Sequence, residues 1–249
     1  MSSAVNLSEE KKVRRSTMEA LMESTQQYDF LLDLVTKRRT VRQFKSDPVP
    51  DEYVMKIIEV ARWAPSGFHT QPWEFVVIRD PNVKAKIVAA LDEYGPAIKD
   101  PAKNDTPRAG FRDAPVFILA LCDWRARVGL PYAPRTIEEA APLYQSSMAN
   151  AFMLMHLAAA SLGLASQWYT SASRPDAERA IRKIVGIPET LTIYDMMVVG
   201  YPAATPGSKI VRDLSDMVHH DACGEQDFRT DEQVEEYARV TKAWCMGEH

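Results

Sequence analysis

Apolar residues along this chain follow two spacings, and their alternation outlines the fold. From residue 28 to 37, Phe30, Leu31, Leu34 and Val35 recur at helical spacing. Residues 51–63 repeat the pattern, with Val54, Ile57, Ile58, Val60 and Ala61 on one face and Asp51 placed to cap the helix after Pro50. Residues 73–78 are a short run of aromatic and β-branched side chains, which predicts a strand. Asp80 and Pro81 end it, and residues 83–91 predict a second amphipathic helix. Residues 116–122 are apolar without interruption, the pattern of a strand covered by helices on both faces. The longest helical pattern spans residues 137–162 and is apolar nearly all round after Met148, as expected in a core or a subunit interface. Gly163 ends it as a C-cap. Residues 164–170 then predict a strand, 175–185 a helix ending at Gly186, and 192–199 a strand closed by Gly200-Tyr201-Pro202. Residues 225–249 are charged and helical, with Val234, Tyr237, Ala238, Thr241 and Trp244 in a stripe. Helix and strand alternate, which predicts an α+β sandwich with a mixed central sheet flanked by helices.

The chain has 249 residues, 46% of them hydrophobic, enough for a sizeable core. Residues 1–24 are charged and read as an N-terminal extension, leaving residues 25–249 as a single domain with residues 225–249 as an arm. The net charge of −4 favours neither nucleic acid nor an acidic membrane. Cys122, Cys223 and Cys245 lack CxxC spacing, which argues against a disulfide framework or a zinc site and fits a reducing cytoplasm. No stretch is long and apolar enough to span a membrane, and the N-terminus lacks a signal-peptide hydrophobic region.

Two stretches carry candidate chemistry. Arg38, Arg39 and Arg42 surround Thr40 where the first helix ends, a position that favours cations. Guanidinium groups bind phosphate bidentately, and the alternative is a solvated basic turn. About two dozen positions later comes Ala64-Pro65-Ser66-Gly67-Phe68-His69-Thr70-Gln71-Pro72-Trp73. Gly67 lets the chain turn and press its amides against a flat ligand, and Ser66, His69, Thr70 and Gln71 add donors and acceptors. An ordinary helix-to-strand turn needs the Gly and the Pro but not four polar side chains. Residues 92–114 are irregular, the pattern of a lid or a surface loop. His156 reads as a core or interface histidine, and His219-His220 lack a partner ligand for metal.

No GxGxxG follows a first strand, and no G-x-S-x-G, Walker A loop or HExxH occurs. Lack of a protein-borne nucleophile or metal motif fits chemistry carried by a bound cofactor.

The run Arg-Arg-Thr-Val-Arg-x-Phe, followed by Ala-Pro-Ser-Gly-x-His-Thr-Gln-Pro-Trp and an apolar strand, resembles the FMN-dependent nitroreductase (flavin reductase-like) superfamily. The His-Thr form of the loop is closest to its iodotyrosine deiodinase branch. The resemblance covers roughly residues 28–220 and implies an intertwined homodimer with FMN at the interface. It assigns Arg38, Arg39, Thr40 and Arg42 to the phosphate, with Arg212 or Lys209 assisting, and Pro65, Ser66, Gly67 and His69 to the ring. Trp168, Tyr169 and Thr170 are carried over as further cofactor contacts, with strand packing as the alternative. It implies NAD(P)H as electron donor and a ping-pong cycle at flavin N5 that reduces a nitroaromatic or a quinone. The runner-up is reductive dehalogenation of halogenated phenols or tyrosines. There Phe68 matches a position whose backbone N–H contacts a phenolate, and Glu93, Tyr94 and Lys99 correspond to a substrate-gripping lid. A Phe at that position narrows the pocket toward flat aromatic substrates. The alternative from another class is a flavin-binding protein without turnover, for storage or sensing.

Overall fold

The computed structural model describes residues 24–94, 109–131 and 136–246. They belong to two compact units, one reaching to Pro206 and one beginning at Gly207. Most of the expected N-terminal extension, and Lys99 of the expected lid, lie outside the described residues.

In the first unit a helix over residues 24–37 (α1) comes first. It is followed by α2 (Asp51–Ala61), β1 (Trp73–Ile78), α3 (Pro81–Tyr94), β2 (Val116–Asp123), α4 (Ile137–Ser161), β3 (Ala165–Tyr169), α5 (Pro175–Val185) and β4 (Leu191–Gly200). The strand order is β1-β2-β4-β3. All three ladders are antiparallel, beginning at Trp73↔Cys122, Val116↔Val199 and Ala165↔Gly200. Parallel pairing among the described residues is confined to a bridge between Thr40 and Ser166 at the outer edge of β3, so the expected mixed character of the sheet shrinks to that bridge. Alternation of helix and strand does not fix strand direction. The segment between α3 and β2 is long enough to return the chain from the opposite end.

β2 is buried along nearly its whole length, as its uninterrupted apolar run predicts. Val116, Ile118, Ala120 and Cys122 join the core beneath α2 and α4. Phe117, Leu119 and Leu121 join the core on the opposite face, with residues of α3 and α5. Each such large side chain contributes on the order of 1.5–3 kcal/mol by leaving water.

α4 begins with a reciprocal capping box. Glu139 N donates to Thr136 Oγ1 at 3.2 Å, and Thr136 N donates to Glu139 Oε2 at 3.4 Å. It ends where Gly163 turns the chain at φ 73°, a left-handed value that a Cβ would strain. Met148 and Met155 are fully buried, as expected of packing methionines, whereas Met153 stands 43% exposed. The predicted apolar face of α1 is largely uncovered in the single chain: Phe30 is 65% exposed and Leu31 51%.

The second unit holds two short 3-10 turns and α6 (Asp231–Met246). Thr230 and Gln233 cap α6 reciprocally, and the Arg229 guanidinium lies 5.1 Å over the Tyr237 ring. Val234 and Val240 remain exposed on this helix. Among the described residues no helix is long and apolar enough to cross a membrane.

Candidate functional site

The arginines leave α1 as its last turn closes, with Arg38 N donating to Leu34 O at 3.0 Å. Arg39 folds back, its Nη1 donating to the carbonyls of Thr36 and Arg38. Arg38 is half-buried. Burial, and then the neighbouring Arg39 charge, lower its pKa from the usual value. Lys37, Arg38 and Arg39 line a cavity of about 370 Å³, whose far wall includes Ser161, Gly163 and Ser166. Asp33 and Lys37 in its lining pair with each other at 2.6 Å, so Arg38 and Arg39 carry its excess positive charge. A cavity with this balance suits an anion. Beyond it the chain is pinned to the edge of β3: Val41 N donates to Ser166 O at 3.1 Å, and Val41 and Phe44 are buried. Thr40, just before Val41, and Arg42, just after it, are exposed.

Residues 65–71 form a strained loop. Phe68, His69 and Gln71 take φ values of 51°, 57° and 46°. Non-glycine residues in this region cost on the order of 1–3 kcal/mol each unless their surroundings hold them there. The surroundings are two side chains of α4: Ser147 Oγ accepts from Gly67 N at 3.1 Å, and Asn150 Nδ2 donates to Pro65 O at 3.2 Å. Within the loop, Ser66 Oγ accepts from Gln71 N at 3.0 Å and Thr70 Oγ1 donates to Gly67 O at 2.8 Å. A Cβ on Gly67 would stand 2.3 Å from Leu143 Cδ1, so this glycine serves close approach to α4. Phe68 remains 57% exposed at the tip. Sequence reasoning missed Ser147 and Asn150. The available signal was two polar residues three positions apart, at the spacing of one helix face.

At the end of β3 the pleat separates the predicted contacts. Trp168 packs on the α4 side, and Tyr169 packs on the opposite side at 4.7 Å from Phe111. Thr170 is exposed and opens the 3-10 turn Thr170–Ser173. The Trp168 ring stacks on His156 at 5.5 Å and 12°, and meets Phe152 edge-on at 4.6 Å. Its indole N–H donates to Asp195 Oδ2, and Ser173 Oγ donates to Oδ1 of the same carboxylate at 3.0 Å. Burial pushes the Asp195 carboxyl up to about 6, against the downward pull of those two hydrogen bonds. His156 is a buried core histidine that lies 2.7 Å from Ser166 Oγ through Nδ1, while its buried Nε2 has no hydrogen-bond partner. Burial, and then the Arg38 charge, bring its pKa down to about 4. Asp195 was not singled out from sequence; its signal was one acid inside an apolar strand.

Glu93 and Tyr94 end α3, which packs with α5 on the sheet face opposite α4. They are therefore not gathered with Phe68 within one chain. The neighbouring Glu93 carboxylate raises the Tyr94 pKa through a hydrogen bond and its charge. In the second unit Lys209 is exposed, and Arg212 Nη2 donates to Asp216 O at 2.6 Å. No cluster of potential metal ligands occurs among the described residues.

Comparison with known proteins gives one consistent set. Residues 35–201 match the Nitroreductase family. A Methanothermobacter thermautotrophicus protein bearing a provisional NADH dehydrogenase/NAD(P)H nitroreductase name is 30% identical over 186 residues, 75% of this chain and 83% of that protein. The iodotyrosine deiodinase of Haliscomenobacter hydrossis is 29% identical over 197 residues, 74% of this chain and 83% of its own length. Among solved structures, the NADPH:FMN oxidoreductase of Vibrio harveyi, complexed with NAD+, superposes with a TM-score of 0.67 at 18% identity, covering 86% of this chain and 85% of that one. At that identity the likeness is one of fold.

Proposed function

The chain belongs to the nitroreductase family, and we propose that it is an FMN-dependent oxidoreductase working as a homodimer. The observation that carries this reading is the pair of surfaces on α4: a cationic cavity at its C-terminal end and a strained loop, with Phe68 exposed at its tip, docked near Ser147. Ser147 and Ser161 are levels of one helix separated by roughly 20 Å at the rise of an α-helix. We infer that each site takes its arginines from one protomer and its loop from the partner. The uncovered apolar residues Phe30, Leu31 and Trp63 supply surface for such a pairing.

The donor set fits the cofactor. Arg38 and Arg39 would hold the phosphate, with Thr40 and Arg42 beside them. Pro65, Ser66, Gly67 and His69 would face the ring, and Trp168 and Thr170 would complete the wall, whereas Tyr169 turns to the opposite face of the sheet and packs on Phe111. FMN, when bound, supplies hydride acceptance and donation at N5. The residues of this chain bind, orient and exclude water; no side chain is assigned as general acid, and the proton comes from solvent. NAD(P)H and the acceptor would occupy the same face in turn. In a two-substrate rate experiment, varying NADPH at several fixed concentrations of a nitroaromatic or a quinone should give parallel double-reciprocal lines; converging lines would contradict the shared face.

A second reading, reductive dehalogenation of a halogenated phenol, is favoured by the deiodinase relatives together with the left-handed Phe68 at the exposed loop tip. Halide release from a halophenol under reducing conditions distinguishes it. On either reading Phe68 shapes the acceptor pocket. Phe68→Ala should raise KM for flat aromatic acceptors several-fold, and unchanged affinity and turnover would refute that role.

A further inference from the structure

Asp195 is the one charged residue of β4, between Ile193-Tyr194 and Met196-Met197-Val198-Val199. The side chain is 6% exposed. A buried carboxylate is retained only where polar partners hold it. The ladder with β2 slips at this point: Leu121 pairs with Ile193 and Ala120 with Asp195, leaving Tyr194 as the extra residue of a β-bulge. The bulge breaks the alternation of faces. Ile193 and Met196 enter the core beside α3 and α5, while Tyr194 and Ala120, the partner of Asp195, lie on the α4 side with Trp168. The carboxylate then reaches two donors on either side of Thr170: the Trp168 indole before it and the Ser173 hydroxyl after it.

We propose that Asp195 is a positioning residue that ties the Trp168 indole and the Thr170–Ser173 turn into one rigid wall for the flavin. The proposal rests on the function given above, since it takes the end of β3 as part of the FMN site. His156, Phe152 and Tyr194 surround the indole, and its N–H finds its acceptor on Asp195, which directs that edge of the ring toward β4. Without that bond the ring retains its neighbours but loses its fixed azimuth, and the turn loses its anchor on β4.

The test compares Asp195→Ala, Asp195→Asn and Ser173→Ala in the full chain, with two readouts. The first is the indole N–H resonance of Trp168 in the ligand-free protein, assigned with Trp168→Phe. The second is the dissociation constant for FMN. Asn can keep both contacts, its carbonyl oxygen accepting from the indole and its amide donating to Ser173 Oγ. Asp195→Asn should therefore leave the indole resonance protected from exchange and FMN affinity within about threefold of wild type. Asp195→Ala should lose that protection and weaken FMN binding about tenfold, with Ser173→Ala between them. Adding Trp168→Phe to Asp195→Ala should weaken binding no further, because both remove one clamp. If Asp195→Ala does not fold, the Asn and Ser173→Ala variants decide: wild-type behaviour of Asn with weakened binding in Ser173→Ala supports the clamp. Wild-type FMN affinity in Asp195→Ala, or in Ser173→Ala when that variant decides, overturns the proposal. So does an Asn variant whose indole exchanges freely and whose FMN binding is as weak as expected for Ala. A wild type that binds no FMN overturns this proposal together with the reading beneath it, whereas wild-type binding with an indifferent Asp195 overturns this proposal alone.

Discussion

Arg38→Ala removes a half-buried guanidinium from the cationic cavity and leaves Lys37 and Arg39 in place. A charge-assisted hydrogen bond to phosphate is worth roughly 1.5–3 kcal/mol, so FMN binding should weaken about ten- to a hundredfold while the fold persists. Fluorescence titration with FMN checks this, and riboflavin, which lacks the phosphate, should bind both forms alike. Around Trp168, two titrating residues act in opposite senses on stability. His156 falls from an ordinary 6.5 to about 4, so the stability it supports is complete above pH 6.5 and is lost as the pH falls through 4. Asp195 rises from an ordinary 3.8 to about 6, so its contribution is present below pH 4 and is lost as the pH rises through 6. Each amounts to about 3 kcal/mol at most, at 1.36 kcal/mol per pH unit. Urea denaturation at pH 4, 6 and 8 should show Asp195→Asn gaining stability over wild type at pH 8 relative to pH 4; an unchanged difference would remove Asp195 from the pH dependence.

At the scale of elements, the loop at 65–71 depends on α4. Gly67→Ala places a methyl group against Leu143, and overpacking of this kind costs typically 1–3 kcal/mol. A lowered melting temperature together with weakened FMN binding is expected; a stable protein with weakened binding would separate the loop's function from its docking. These same elements show what the sequence could reveal. β2 was legible because a strand buried on both faces has to be apolar at every position, and it is. β1 and α5 fall on the residues their patterns predict. Strand direction was not legible, because periodicity within an element carries no information about which end the chain enters. The arginines and the loop were visible as residue types at unusual density. Their supports were not: Ser147, Asn150 and Asp195 lie far from them in sequence, and each looks like a stray polar residue until the sheet and α4 place it.

For the molecule as a whole, the proposed pairing joins two surfaces of α4 through a second copy of the chain. Leu31→Glu should shift the protein toward monomer in sedimentation, and on the proposed reading it should weaken FMN binding as well, although Leu31 does not line the cationic cavity. The central claim is that a reducible flavin occupies the site built on Arg38–Arg42 and Ser66–His69. The most direct measurement is the absorbance spectrum of the purified protein, reconstituted with FMN and followed anaerobically as NADPH and then NADH are added. The account predicts a bound flavin band that bleaches on addition of one of them. A band that never bleaches would leave a flavin-binding protein without this turnover, and the absence of any bound flavin would contradict the site itself.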